Sequence, residues 1–287
     1  MHLSLRTGRS SLVRRSAIFG MSLFAGSLLF PAPVARAQGK TGTAQLVIEP
    51  KAIVSPVSPM LYGMMTEEIN HAFDGGLYAE MVQNRTFRGT WEGVQHWDLV
   101  RRGEASAKLD IVKDDGPSKA LTNSVKVTVT NASAGSEAGL SNTGYWGMGL
   151  KPRTQYKGSF YAKVDSPEIG PVMARLVSDN TGAVVAEAKV MVKAGDWSPY
   201  TYTMTTNAAA NGSANHLEIL VAHSGTISLQ LVSLFPPTFN NQSNGFRPEL
   251  MERMAGLHPH FLRLPGGNYL EGDQLKDWFN WKTTLGP

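Results

Sequence analysis

Hydrophobic and polar positions fall into two regimes along the chain. Residues 60–65, MLYGMM, form a short apolar run without helical spacing. It ends abruptly in Glu67 and Glu68, followed by Asn70, His71, Asp74 and the pair Gly75-Gly76. That pattern predicts a buried strand with a polar loop at its carboxyl end, the place where a parallel-sheet protein keeps its chemistry. Leu77, Met81 and Val82 then recur at roughly helical spacing, so residues 60–91 read as a βα unit. A similar order returns late in the chain. Phe246, Leu250, Met251 and Met254 predict a helix that stops near Gly256, and residues 261–264 predict a strand ending in Pro265-Gly266-Gly267-Asn268.

Between these units the period changes from about 3.6 to 2. Runs at 109–112, 125–130, 156–164, 172–177, 184–192, 200–205, 217–221 and 227–231 alternate or are rich in β-branched residues. Turns such as Asp179-Asn180-Thr181-Gly182 and Asn211-Gly212-Ser213 separate them. Eight such runs without an amphipathic helix predict an antiparallel β-sandwich or jelly roll over residues 92–234. Ahead of the first unit, residues 44–48 predict an accessory strand stopped by Pro50, within a linker spanning 38–59.

The N-terminus changes the charge picture. Arg6, Arg9, Arg14 and Arg15 precede an apolar run over 17–30, and Ala35-Arg36-Ala37 supplies a small-x-small site. Residues 1–37 therefore read as a secretory signal cleaved after Ala37, with a twin-arginine route and an uncleaved anchor as alternatives. The mature product is expected to be secreted or periplasmic, with no stable membrane anchor. The leader holds five of the 27 basic residues and no acid, so 22 basic residues remain against 23 acidic ones and the formal charge passes from +4 to −1. A nucleic-acid partner loses its compositional support. Cysteine is absent, which excludes disulfides and thiol chemistry. The pattern calls for no cofactor and no metal.

Two carboxylates, an amide and an imidazole gathered at one strand end suit a polyhydroxylated ligand, whose hydroxyls each need a donor and an acceptor. A solvated surface turn is the alternative for Glu67-Glu68 alone, and a simple turn is the alternative for Pro-Gly-Gly-Asn alone. In the sandwich, Tyr145 and Trp146 stand in the polar turn Asn142-Thr143-Gly144-Tyr145-Trp146-Gly147, where aromatic faces could stack on sugar rings. Trp91, Trp97 and Trp197 mark other edges of this segment, and packing is the alternative role for all of these rings.

The segments LYGMMTEEINHAFDGGLYAEMVQNRTF, LFPPTF and FLRLPGGNYLEGDQLKDWFNWKTTLGP together resemble the N-terminal part of the secreted α-L-arabinofuranosidases of glycoside hydrolase family 51. The resemblance implies the N-terminal portion of a (β/α)8 TIM barrel interrupted by a carbohydrate-binding-like β-sandwich. It implies retaining hydrolysis of terminal non-reducing α-L-arabinofuranosyl groups, with arabinose-containing plant polysaccharides or oligosaccharides as partners. Family substrate contacts fall on Glu67 and Asn268, with Glu68, Asn70 and Trp281 as further candidates. The nucleophile and acid/base are expected beyond Pro287. Residues 60–91 and 235–287 supply far fewer than the roughly 250 residues a barrel uses, so the chain is expected to be a truncated part of such an enzyme. A chain complete as it stands would read instead as a secreted carbohydrate-binding module or a structural sandwich.

Overall fold

The computed structural model describes residues 46–88, 94–133, 135–264, 266, 274–278, 280 and 282. The chain divides into two compact units, Met1–Ser55 and Pro56–Pro287. In the first, the described residues 46–55 form no strand, and Leu46, Val47 and Ile48 are exposed. The accessory strand expected at 44–48 is thus not formed over 46–48, which pair with no other strand. The leader with its cleavage site, Trp91, Asn268 and Trp281 lie outside the described residues. No helix among the described residues is long and apolar enough to cross a membrane.

Ten strands of the second unit make two five-stranded antiparallel sheets. One takes the order β2 (Trp97–Arg101), β5 (Ala138–Asn142), β10 (Asn215–Val221), β7 (Val172–Ser178), β8 (Val184–Val190). The other runs β3 (Ser106–Val112), β4 (Ser124–Thr130), β11 (Gly225–Phe235), β6 (Gln155–Val164), β9 (Gly195–Thr205). Period-2 alternation decides which side chains face inward. In β6, Tyr156, Phe160, Ala162 and Val164 are buried, and in β10 Leu217, Ile219 and Val221 meet them in a shared core.

Two strands carry little sequence signal. β5 reads Ala-Gly-Leu-Ser-Asn, without a β-branched or aromatic residue, yet all five positions are buried. The small residues are required by the packing, since a Cβ at Gly139 would lie 2.0 Å from the Ile219 carbonyl oxygen. β2, with its mixed Trp-Asp-Leu-Val-Arg, pairs along the same strand. Its Trp97 is a core residue whose indole N–H donates to the Asn84 carbonyl at 3.1 Å. Trp197 donates to Asp115 at 3.1 Å.

The outward face of the β10 sheet carries a charge cluster. The His216 ring nitrogens lie 2.5 Å from Asp179 Oδ1 and 3.3 Å from Glu218 Oε1, and Arg102 reaches both Glu218 oxygens at 2.7 and 2.8 Å. Hydrogen bonding to Glu218 and then to Asp179 raises the His216 pKa against the effect of burial. For Glu218, burial acts upward, and His216 and Arg102 together overcome it and lower the pKa. The signs give a stability window. The His216 contribution is complete below its unfolded pKa, about 6.5, and is lost as pH rises through the folded value. The Glu218 contribution is present above its unfolded pKa, about 4.3, and is lost as pH falls through the folded value. Thermal midpoints should therefore peak in mildly acidic solution and decline toward pH 8. His216→Asn should flatten that alkaline decline, and an unchanged slope would remove His216 from the account.

Outside the sandwich, β1 (Met64–Met65) pairs in parallel with β12 (Leu262–Arg263), and one α-helix, α1 (Pro248–Gly256), precedes β12. The first strand is shorter and more exposed than expected. Pro59–Leu61 is a single 3-10 turn, with Ser58 Oγ accepting from the Met60 amide at 3.2 Å, and Met60, Leu61, Tyr62 and Met65 are exposed. Proline at the start of the turn fixes φ and favours the 3-10 conformation over a strand. α1 begins at Pro248, carries Glu249 in its first turn and Arg253 in its last, and half-buries Leu250, Met251 and Met254. Phe246 stands ahead of it and is exposed. Among the described residues there is no closed barrel.

The helix expected after Gly76 does not form. Leu77 closes a turn, its amide donating to Ala72 at 2.9 Å, and residues 78–82 run on without helical bonds, buried except for the half-buried Tyr78, with Met81, Val82 and Phe87 in the sandwich core. The spacing that imitates a helix arises because the strap is covered on several sides. Its backbone bonds run to the exit of β11: the Met81 amide donates to Leu234 and the Ala79 amide to Gly245, at 3.0 and 3.1 Å, and the Arg85 carbonyl accepts from Val232 at 3.2 Å. A bulge in β11 between Gln230 and Ser233, with Leu231 at φ 48°, turns the strand's last residues toward this strap.

Candidate functional site

The parallel register aligns Met64 with Leu262 and Met65 with Arg263, so both strands end on the same side, with Glu67 following β1 and Gly266 following β12. The Met64 amide donates to Phe261 and the Thr66 amide to Arg263, at 3.0 and 3.1 Å. Glycines allow the approach. A Cβ at Gly63 would lie 2.2 Å from the Phe261 ring, and one at Gly266, where φ is 140°, would lie 2.7 Å from Glu67 Cγ. Glu67 is thus held half-buried at the strand end, its stem against Gly266.

Glu68 does something different. Its Oε2 accepts from the Phe73 amide at 2.7 Å, closing the loop on itself. Asn70 and His71 are exposed and occupy the left-handed region, at φ 52° and 62°. Two successive non-glycine residues in that region are sterically costly and give a sharply bent loop.

The sandwich turn at 142–147 closes over this loop. Asn142 fixes the turn with four hydrogen bonds: its Oδ1 accepts from the Gln83 and Gly144 amides, and its Nδ2 donates to the Gln83 and His96 carbonyls. His71 lies edge-on to Tyr145 and to Trp146, with ring centroids 5.1 and 5.4 Å apart. A Cβ at Gly75, where φ is 88°, would lie 2.4 Å from the Tyr145 ring. Burial, then a hydrogen bond to Asp74, raises the Tyr145 hydroxyl well above the ordinary tyrosine range. Trp146 remains 66% exposed. Two candidate groups about 75 residues apart in sequence therefore meet at one place.

From there a cleft of about 590 Å³ opens between the sandwich rim and the segment that leads into α1. Gly75, Trp146, Lys151, Thr154, Arg247 and Glu249 line it, and Arg247 Nη2 donates to the Gly75 carbonyl at 3.3 Å. Sequence reading missed Asn142 as the anchor of the turn, although Asn-x-Gly is a turn signal, and missed the wall residues after the sandwich. Among the described residues no cluster of three or more His, Asp or Glu side chains is arranged to hold a metal ion.

Behind the loop, Glu80 is fully buried. It accepts from the Val82 and Leu234 amides at 3.0 and 2.9 Å and from the Ser233 hydroxyl, and it pairs with Arg85 at 3.2 Å. Burial pushes its carboxyl upward against the pull of those donors. Arg85 also lies over the Tyr78 ring, 5.6 Å from the centroid.

The family described as "Alpha-L-arabinofuranosidase 1 domain" matches residues 253–287. A probable α-L-arabinofuranosidase A of Aspergillus terreus is 32% identical over 236 residues, which are 80% of this chain and 36% of that protein. An extracellular exo-α-L-arabinofuranosidase of Streptomyces chartreusis is 30% identical over 279 residues, 93% of this chain and 32% of that protein. An arabinose-bound GH51 α-L-arabinofuranosidase of known structure superposes with a TM-score of 0.73 at 32% identity, over 83% of this chain and 39% of the other. The chain spans about a third of the length of the curated relatives it matches. Over about four fifths of its length this chain is homologous to the α-L-arabinofuranosidases of glycoside hydrolase family 51.

Proposed function

We propose that this chain supplies the sugar-holding strand ends and the sandwich of a secreted, retaining α-L-arabinofuranosidase that removes terminal non-reducing arabinofuranosyl groups from arabinoxylan, arabinan or arabinogalactan. The observation that carries the reading is the parallel β1–β12 register, which brings together the ends of two strands distant in sequence, with Gly266 against Glu67. Residues 60–91 and 235–287 are then the first segments of a (β/α)8 barrel, 92–234 the inserted sandwich, 38–59 a linker and 1–37 an export signal.

In this reading Glu67 accepts from arabinose hydroxyls, and Asn268, Asn70 and Trp281 complete the surroundings of the sugar. Glu68 shapes the loop through the Phe73 amide. Retention needs a nucleophile and an acid/base about 5–5.5 Å apart. Glu67 and Glu68 are sequence neighbours, and Glu68 is committed to the loop, so the proposal assigns the catalytic pair to the two thirds of the relatives' length that this chain does not match. Loop residues contribute by binding more tightly as positive charge develops on the sugar ring.

Saturation-transfer NMR of methyl α-L-arabinofuranoside with the 287-residue chain tests the reading. Transfer to the sugar is expected, and Glu67→Ala should abolish it. No aryl leaving group should be released from an aryl α-L-arabinofuranoside by the chain alone. Absence of transfer from a folded wild type would sink the assignment of Glu67. Turnover abolished by changing Glu67 or Glu68 would overturn the assignment of the catalytic pair.

A further inference from the structure

We propose that the cleft beside Trp146 binds a neutral, linear polysaccharide chain, with the Trp146 indole as its stacking surface. The site would hold the backbone that carries the arabinosyl branch. The choice of ligand class rests on the function proposed above, whereas the existence of the site rests on the geometry of the turn and cleft.

Trp146 is 66% exposed, so core packing does not account for its position. A large apolar ring left in water contributes little to folding, yet the turn that presents it is fixed at many points. Asn142 ties it through four hydrogen bonds. Gly144 and Gly147 have φ of 67° and 83°, and a Cβ at either would meet the Met81 or Ser213 carbonyl oxygen, at 2.8 and 2.0 Å. Such a turn has almost no freedom to withdraw the ring, and a ring held rigidly in solvent is preorganised for a flat apolar partner.

Tyr145 has a different role. It is half-buried, Gly75 lies against its ring, and its hydroxyl is bonded to Asp74. It joins the sandwich to the β1 loop, and Trp146 is left as the stacking surface.

The cleft has the size and the chemistry for a sugar chain. Its volume of about 590 Å³ falls within the range of roughly 300–1,000 Å³ usual for small-ligand sites. Lys151, Arg247, Glu249 and Thr154 put polar groups of both charges in the lining, with Arg247 held to the Gly75 carbonyl at 3.3 Å. A pyranose chain offers what this wall asks for, an apolar ring face for the indole and rim hydroxyls for the polar groups. Gly75, in the lining, ends the loop that begins at Glu67, which links the cleft to the strand-end site along the chain.

The test uses the 287-residue chain and three probes: linear xylohexaose, soluble arabinoxylan and a linear arabino-oligosaccharide, by calorimetry and affinity electrophoresis. Binding to at least one is expected, with affinity reduced about tenfold or more in Trp146→Ala, the size of a lost stacking contact. The thermal midpoint should stay within about 1 °C because the ring is outside the core. Glu67→Ala should leave xylohexaose binding unchanged while abolishing methyl arabinofuranoside transfer, which separates this site from the arabinose site. Failure of all three probes to bind, or unchanged affinity in Trp146→Ala, overturns the proposal whatever the arabinose result.

Discussion

Glu67→Ala should lower kcat/KM on an aryl α-L-arabinofuranoside by about 10²-fold in a chimera that joins this chain to the remaining two thirds of a matched relative, a loss of about 2.7 kcal/mol of transition-state binding. β1 ends at Met65, and Gly266 packs on the Glu67 stem, so the carboxylate is presented at the strand end with few rotamers open to it. A preorganised charge that costs no rearrangement when the oxocarbenium-like state forms is worth more there than in the ground state. The loss should therefore fall on KM as well as on kcat, because the same contact holds the sugar before the bond breaks. Glu68→Ala should behave otherwise, because its oxygen is spent on the Phe73 amide. It should lower the thermal midpoint and change kcat by less than about tenfold, in line with a lost loop bond worth about 1–3 kcal/mol. Equal kinetic losses from both substitutions would count against this division of labour.

The sequence carries the sandwich where burial is one-sided and loses it where burial is two-sided. β6 announces itself because Tyr156, Phe160, Ala162 and Val164 alternate with solvent-facing residues. β5 escapes notice because its neighbours β2 and β10 and both faces enclose it, and the packing selects small residues instead of β-branched ones. The same cause produced the false helix at 77–82. There Leu77, Ala79, Met81 and Val82 are all buried, so burial follows the surroundings of an extended strap and no longer reports a backbone period. At the candidate site, the strand-end residues Glu67 and Glu68 were legible as a polar cluster after an apolar run. Their separation into a sugar-facing and a loop-closing carboxylate was not, since it depends on where the Phe73 amide points. Nor could the sequence show that Tyr145 and Trp146 close over His71, a contact across about 75 residues that requires the whole sandwich to be in place.

Glu80→Ala should be the most destabilising single substitution on the face that joins the site to the sandwich, costing about 3–5 kcal/mol, the range for breaking a buried charge pair. The carboxylate is fully buried between the strap and the end of β11. Its removal strands the Val82 and Leu234 amides and the Ser233 hydroxyl away from water, and it leaves Arg85 beside Tyr78 without its acid. Burial lowers the Arg85 pKa, and Glu80, Tyr78 and Asp74 together more than offset this, so the guanidinium stays charged when its acid is removed. For a unit of this size the midpoint should fall by roughly 6–20 °C, read from thermal unfolding followed by circular dichroism. Ser233→Ala, which deletes one donor and leaves the carboxylate its others, should cost about 1 kcal/mol. Arg85→Ala added to Glu80→Ala should cost much less than the sum of the two single losses, because each already breaks the same pair. The strap also sets the direction from which residues 67–76 leave β1, so Glu80→Ala should weaken the methyl arabinofuranoside contact without touching the sugar. A midpoint lowered by no more than about 2 °C would show that the strap is held by its apolar contacts and backbone bonds, with Glu80 a buried passenger.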